Sequence, residues 1–219
     1  MIQKSTLAFL KSLAAHNDRE WFAAHKPAYE AAKADAEHLA AALAAGIAQF
    51  DPSIGYLEPK DCMFRIYRDA RFSHDKSPYK TNLGVVLQRG GKRTQYACYY
   101  VHIEPNNLFL SGGIYMPSPE VLKALRHSID VNFEEFESIV HNKSFKKYFA
   151  LEGEKLVKAP QGFDKDSPAV EYLKHKNWYV MQPIDAAEIC HPDFVKKTLK
   201  AFAALQPLNA FFNEAIDEM

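Results

Sequence analysis

The strongest constraint on this fold is a change of period along the chain. Between residues 62 and 115, β-branched and aromatic residues alternate with polar ones, whereas on either side apolar residues recur every three or four positions. Inside the alternating stretch, Arg89-Gly90-Gly91-Lys92 and Glu104-Pro105-Asn106-Asn107 are turn sequences. Strands are therefore expected near 63–68, 83–88, 95–103 and 108–114. Sequential strands joined by such short turns pair antiparallel, which makes a meander. Gly112-Gly113 inside the last strand signals a bulge or a close backbone approach.

The flanks read as helix. Leu7, Leu10 and Leu13 lie on one stripe, and Asn17-Asp18-Arg19-Glu20 has the form of a capping box with Asn17 capping and Glu20 reaching back. Pro27 suits the first turn of a helix over 29–50, the longest expected, with Ala36, Leu39, Leu43, Ile47 and Phe50 on one face. Trp21, Phe22 and Tyr29 at helical spacing point to core packing. Further on, Ser118-Pro119 opens a helix and Asn132 to Glu135 forms a second capping box. Ser167-Pro168 starts a short helix, 178–182 adds a strand, and 192–218 reads as two helices parted at Pro207. The expected architecture is α+β, a central antiparallel β-meander packed with N-terminal and C-terminal helices that cover one of its faces. Residues 1–219 read as a single domain: helical over 1–50, sheet over 62–115, mainly helical over 118–219.

Composition excludes several function classes. Lysine plus arginine and aspartate plus glutamate number 27 each, so no overall field draws the protein to nucleic acid or to an anionic membrane. Cys62, Cys98 and Cys190 are isolated, which argues against a zinc ribbon, a thioredoxin-type site or a secreted disulfide framework, and for reduced thiols. Lys4 and Lys11 break up the apolar residues of the N-terminus, leaving neither a signal-peptide core nor a spanning helix. A cytoplasmic protein is expected. With no HExxH, P-loop, GxGxxG or GxSxG, neither metal nor cofactor is expected. His102, on a strand face with Tyr96, Cys98 and Tyr100, reads as a hydrogen-bonded histidine rather than a general base.

Charge is concentrated in one place. Between Arg65 and Lys80, the cations Arg65, Arg68, Arg71, Lys76 and Lys80 face only Asp69 and Asp75, a local excess of +3 in a neutral chain. Guanidinium forks bind phosphate or carboxylate in bidentate fashion, and lysines add point charge. If the strand runs on past Arg68, then Arg65, Tyr67, Asp69 and Arg71 share one face while Phe64, Ile66 and Phe72 share the core face. Asp69 would then orient a guanidinium, and the loop from Ser73 to Pro78 could close over a ligand.

Several of these segments together resemble the domain of unknown function 2461 family, a mainly bacterial set of conserved hypothetical proteins. Asn17-Asp18-Arg19-Glu20-Trp21-Phe22, with Lys26 and Tyr29, is similar to its N-terminal signature. The central one is matched by Arg65-Ile66-Tyr67-Arg68-Asp69, Arg71-Phe72-Ser73, Asp75-Lys76 and Pro78-Tyr79-Lys80, and the C-terminal one by Pro160, Gly162, Phe163 and Pro168. His74 departs from the lysine of the family pattern. The resemblance implies one domain and brings no substrate, cofactor or catalytic residue with it.

Three readings of the cluster stay open. Arg65, Arg68, Arg71, Lys76 and Lys80, with Asp69, Tyr79 and Arg19 brought to their edge, bind an anionic small molecule; this is favoured over a nucleic-acid phosphate. In the enzyme reading the same cations clamp a phosphorylated or carboxylated substrate, with Asp69 or Asp75 as general base and Tyr79 near the reacting group. In the third, the charges form an internal ion-pair clasp and function lies with a protein partner.

Overall fold

A computed structural model of the chain describes residues 1–69, 71 and 73–219. Its architecture is α+β. Helices α1 (Lys4–Ala15), α2 (Arg19–Ala24) and α3 (Lys26–Ile47) lead into the meander β1 (Leu83–Gln88), β2 (Cys98–Ile103) and β3 (Phe109–Ile114). Then follow α4 (Pro119–Val131), α5 (Phe133–Val140), α6 (Lys143–Tyr148), β4 (Leu151–Glu152), α7 (Val170–Leu173), β5 (Trp178–Pro183), α8 (Ala186–Ile189) and α9 (Phe194–Asp217). The strands form one five-stranded sheet in the order β1-β2-β3-β5-β4, with every neighbouring pair antiparallel.

The sheet is larger than the meander, because β5 from the C-terminal half pairs with β3 and carries the two-residue β4 on its outer side. At the other edge the expected strand over 63–68 does not form. Only Met63 makes a bridge to Val85 of β1, and Tyr67 bridges Tyr79 instead. The cause is local: Pro78 has no N–H to extend a ladder, and the hydrogen bonds of 66–68 go to 78–80 rather than to the sheet.

Alternation along the strands gives the sheet two unlike faces. Leu83, Val85 and Leu87 of β1, Tyr99, Val101 and Ile103 of β2, and Leu110 and Ile114 of β3 are buried on the face that meets α3 and α9. Gly112 lies on this face, where an added Cβ would run into the Leu205 side chain of α9 and the Cys98 carbonyl, so its bareness sets how closely the helix approaches. Gly113 has φ +92 and lies against the Trp178 carbonyl, the close backbone approach its sequence context suggested.

Helix α9 corrects two expectations. It runs unbroken through Pro207 and, at 24 residues, exceeds the 22 of α3. A proline inside a helix costs about 3 kcal/mol, but Pro207 faces solvent while Leu205, Leu208, Phe211 and Phe212 beside it are buried. Two asparagines pin the same helix to β2 and its approach: Asn209 Nδ2 donates to the Cys98 carbonyl at 3.1 Å, and Asn213 Oδ1 accepts from the Ala97 N–H at 2.8 Å. Both expected capping boxes also differ. Asp18, not Asn17, caps α2 by accepting from the Trp21 N–H, and Asn132 makes no side-chain cap. Ser118 caps α4 with Pro119 behind it, as its sequence indicates.

Asn213→Ala strands a buried Ala97 N–H and should lower the unfolding free energy by about 1–3 kcal/mol. Urea denaturation checks this: the midpoint falls at constant slope, and an unmoved midpoint would show that the hydrogen bond contributes nothing.

Candidate anion-binding site

The basic segment folds as a loop on a two-rung ladder. Arg68 N–H donates to the Pro78 carbonyl at 2.9 Å and Lys80 N–H to the Ile66 carbonyl at 2.7 Å. The turn between them is shaped by carboxylates. Asp75 accepts from the Ser77 N–H at 2.9 Å and from its hydroxyl at 2.6 Å, and Asp69 accepts from the Arg71 N–H at 3.3 Å. Asx turns of this kind let a short polar side chain replace backbone pairing in a loop.

A second part of the chain holds this loop. The Asn17 side chain donates through Nδ2 to the Tyr79 carbonyl at 3.0 Å and accepts through Oδ1 from the Tyr79 N–H at 3.1 Å. One turn further on, the Phe22 ring stacks on the Tyr79 ring with centroids 3.9 Å apart, and Tyr67 lies 5.4 Å from Tyr79. Phe22 is buried, while Trp21 and Tyr29 pack against the core's edge. Because Arg19 opens α2 between Asn17 and Phe22, this latch carries its exposed side chain to the loop.

The result is a recess of about 570 Å³ lined by the cations Arg19, Arg68, Arg71 and Lys76, with Asp69, Tyr67 and Tyr79. Six of the eight side chains singled out from sequence lie there. Arg65 and Lys80 do not. The Lys80 ammonium sits 5.3 Å from the centroid of the Phe64 ring, and burial, helped by Arg65, pushes its pKa down. Ile66 is buried as parity predicts, but Phe64 is 43% exposed because the segment leaves the sheet after Met63; Phe72 lies outside the described residues. Arg65, Tyr67, Asp69 and Arg71 are all exposed, yet only the last three face the recess. Sequence reasoning missed the positioning roles of Asn17 and Phe22. The available signal was Asp18, a competent cap one residue on that frees Asn17 for another task.

Electrostatics decide what this recess can do. Arg71 makes a fork with Asp69, Nε to Oδ1 at 2.9 Å and Nη2 to Oδ2 at 2.6 Å, while Arg68 pairs with Asp75 and reaches the Ser77 carbonyl at 3.4 Å. Lys76 Nζ lies 3.5 Å from the Arg71 carbonyl. These pairs are not buried: the side chains are 27% and 60% exposed for Arg68 and Asp75, and 76% and 45% for Arg71 and Asp69. Hydrogen bonds from Ser77 and then Arg68 hold the Asp75 carboxyl down to about 2, and the Arg71 fork holds Asp69 below its ordinary value. Carboxylates so stabilised are poor proton acceptors near neutrality. Exposed pairs of this kind are worth about 0–1 kcal/mol, so an incoming anion can share or replace the aspartates on the guanidinium groups at small cost.

A model of the family described as conserved hypothetical protein (DUF2461) matches residues 5–211. No curated protein and no solved structure matches the chain.

Asn17→Ala removes both bonds to Tyr79 and should cost about 1–3 kcal/mol locally. Amide exchange at Tyr79 should speed up accordingly, and unchanged protection would disprove the latch. The pH dependence has a definite sign. A folded-state pKa near 2 lies below the ordinary 3.8, so the contribution of Asp75 to holding the loop is fully present above about pH 4 and is lost as pH falls through 2. Carboxyl NMR titration of Asp75 should give a midpoint near 2; one near 4 would show that the Ser77 and Arg68 contacts do not persist in solution.

Proposed function

We propose that this chain, which belongs to the DUF2461 family of conserved hypothetical proteins, binds a small phosphate- or carboxylate-bearing molecule in the recess between α2 and the loop after Tyr67. The observation that carries the reading is the arrival of Arg19 from a separate part of the chain beside Arg68, Arg71 and Lys76. Four cations, against Asp69 on the lining and Asp75 paired with Arg68, leave a local positive excess in a protein whose formal net charge is zero. Arg19 makes no hydrogen bond or ion pair among the described residues, so its guanidinium is available to a ligand. The Tyr67 ring, half exposed above Tyr79, offers a face for any planar part of that ligand.

Binding is favoured over catalysis by the state of the acids. Both aspartates that would serve as a general base are pushed towards the ionised, weakly basic form, Asp69 by Arg71 and Asp75 by Ser77 and then Arg68. A structural clasp is disfavoured by exposure, since a pair open to water does little to stabilise a fold. We also read residues 1–219 as one domain, on the strength of a contiguous set of buried side chains that runs from Ile2 to Ala215.

Inorganic phosphate titrated against the whole chain should shift the side-chain signals of Arg19, Arg68 and Arg71. Arg19→Ala should weaken phosphate binding about tenfold, the order of one charge-assisted hydrogen bond, with the melting temperature unchanged. Arg68→Ala should abolish binding while costing no more than about 1 kcal/mol of stability. Absence of phosphate binding by the parent, with a loss of about 3–5 kcal/mol in Arg68→Ala, would overturn the reading in favour of a clasp.

A further inference from the structure

Among the described residues no helix lines the sheet face opposite α3 and α9, which forms a second concavity sharing no lining residue with the cationic recess. Strand register builds its floor in rows. Val86, Tyr100, Ser111 and Met181 stand side by side across β1, β2, β3 and β5, with Gln88, Cys98, Gly113 and Tyr179 in the next row and Gly84, His102 and Phe109 on the other side. The β1–β2 connection around Gln95, together with Phe64 and Tyr115, forms the walls of a cavity of about 530 Å³. That volume is typical of small-molecule sites, which are mainly aromatic and apolar with a few placed polar groups. A strand cannot be added here, because the surface offered is a face and not an unpaired edge.

The polar groups are organised by a carboxylate at one end of the floor. Glu104 accepts from the Thr81 hydroxyl at 2.5 Å and from Asn107 Nδ2 at 3.2 Å, and lies 3.2 Å from His102 Nε2. Burial pushes Glu104 up, but these hydrogen bonds outweigh it and hold the carboxyl below its ordinary value. An ionised carboxylate at Nε2 places the proton of a neutral imidazole there, which leaves Nδ1 as an acceptor. The Tyr100 hydroxyl, 2.9 Å away, therefore donates to Nδ1. Stacking on Phe109 at 4.6 Å fixes the His102 ring, and Gly84 leaves the space in which the Tyr100 hydroxyl sits, 2.5 Å from where a Cβ would stand. Beside Tyr100 in the same row, the Ser111 hydroxyl donates to the Val180 carbonyl at 2.6 Å. The Tyr100 and Ser111 hydroxyls have thus given their protons to the protein, and each has only oxygen lone pairs left to offer. Cys98 contributes no anion, since burial pushes its thiol up to about 12.

We propose that this cleft binds a small planar aromatic molecule bearing a hydrogen-bond donor, such as a phenol or a heterocyclic N–H. The ring lies among Phe64, Phe109, Tyr115 and Tyr179, and the donor is accepted by the oxygens of Tyr100 and Ser111. Specificity follows from the direction of the Glu104–His102–Tyr100 chain. At the Tyr100 and Ser111 oxygens a ligand group that is only an acceptor meets a second acceptor, which disfavours it there.

Two probes that differ only at that group test the inference: 2-naphthol, which has the donor, and 2-methoxynaphthalene, which lacks it. Titrated into the full chain, 2-naphthol should bind about fivefold more tightly, the order of one neutral hydrogen bond. Amide shifts should map to Val86, Tyr100, Ser111 and Met181 and leave Arg68 to Lys80 unmoved. Tyr100→Phe should remove most of the preference without weakening 2-methoxynaphthalene, and Ser111→Ala, which leaves the histidine chain intact, should remove part of it. Equal affinity for the two probes, binding of neither, shifts centred elsewhere, or a preference that survives both substitutions would each overturn the proposal.

Discussion

The structure depends on one face of one sheet being sealed. Helices α3 and α9, drawn from the two ends of the chain, pack against the same side of β1, β2 and β3, and the alternating apolar residues of all three strands point at them. The seal is close because Gly112 has no side chain to hold α9 away, and it is fixed in position because Asn209 and Asn213 bond the helix to backbone groups next to β2. Both of the longest helices are committed to this face, and among the described residues the cavity on the other face has no helical residue in its floor. That face can then keep a tyrosine, a histidine, a serine and a cysteine at positions which a second helical layer would have required to be apolar.

The same economy of backbone partners explains the loop. In a ladder of two rungs, Arg68 and Lys80 spend their N–H groups on residues across the pair, while the N–H and carbonyl of Tyr79 point outward, where no strand lies among the described residues. A primary amide is the one short side chain that can meet both, since it carries a donor and an acceptor side by side. Asn17 does so, and in effect supplies the next rung. Aspartate in its place would lose the donor, and leucine would lose both. Stacking of Phe22 on Tyr79 then fixes the angle at which α2 meets the loop, and the place of Arg19 follows from two contacts that it does not itself make.

Much of this was legible in the sequence. Period and turn chemistry place β1 at its observed bounds, β2 and β3 within a few residues, and both joining turns, where Gly90, Gly91 and Asn106 have positive φ. Ser118-Pro119 locates α4 for the same reason: the information is local. Errors arose wherever tertiary partners decided the outcome. Pro207 stays helical because the residues around it are buried against the sheet, which no local rule can register. Residues 63–68 have the alternation of a strand but find their hydrogen bonds in 78–80. The charge cluster was visible as a count, yet which of its members meet depended on the same departure from the sheet; it turns Arg65 and Lys80 away and leaves Arg68, Arg71 and Lys76 facing Arg19.

The exposure of the ion pairs bears on how such a recess works. A cation site left without counter-ions would repel itself, and the loop would spread. A site neutralised by buried carboxylates would be stable but closed to ligand, because displacing such a carboxylate strands a charge in low dielectric. Asp69 and Asp75 avoid both extremes. Hydrogen bonds from Ser77 and then Arg68 hold Asp75 down to about 2, the Arg71 fork holds Asp69 below its ordinary value, and both carboxylates stay open to water. Asp75 is tied to Ser77 as well as to Arg68, so the turn has a hold that does not depend on the guanidinium. Charge compensation and loop geometry are thus carried by different bonds of the same residue.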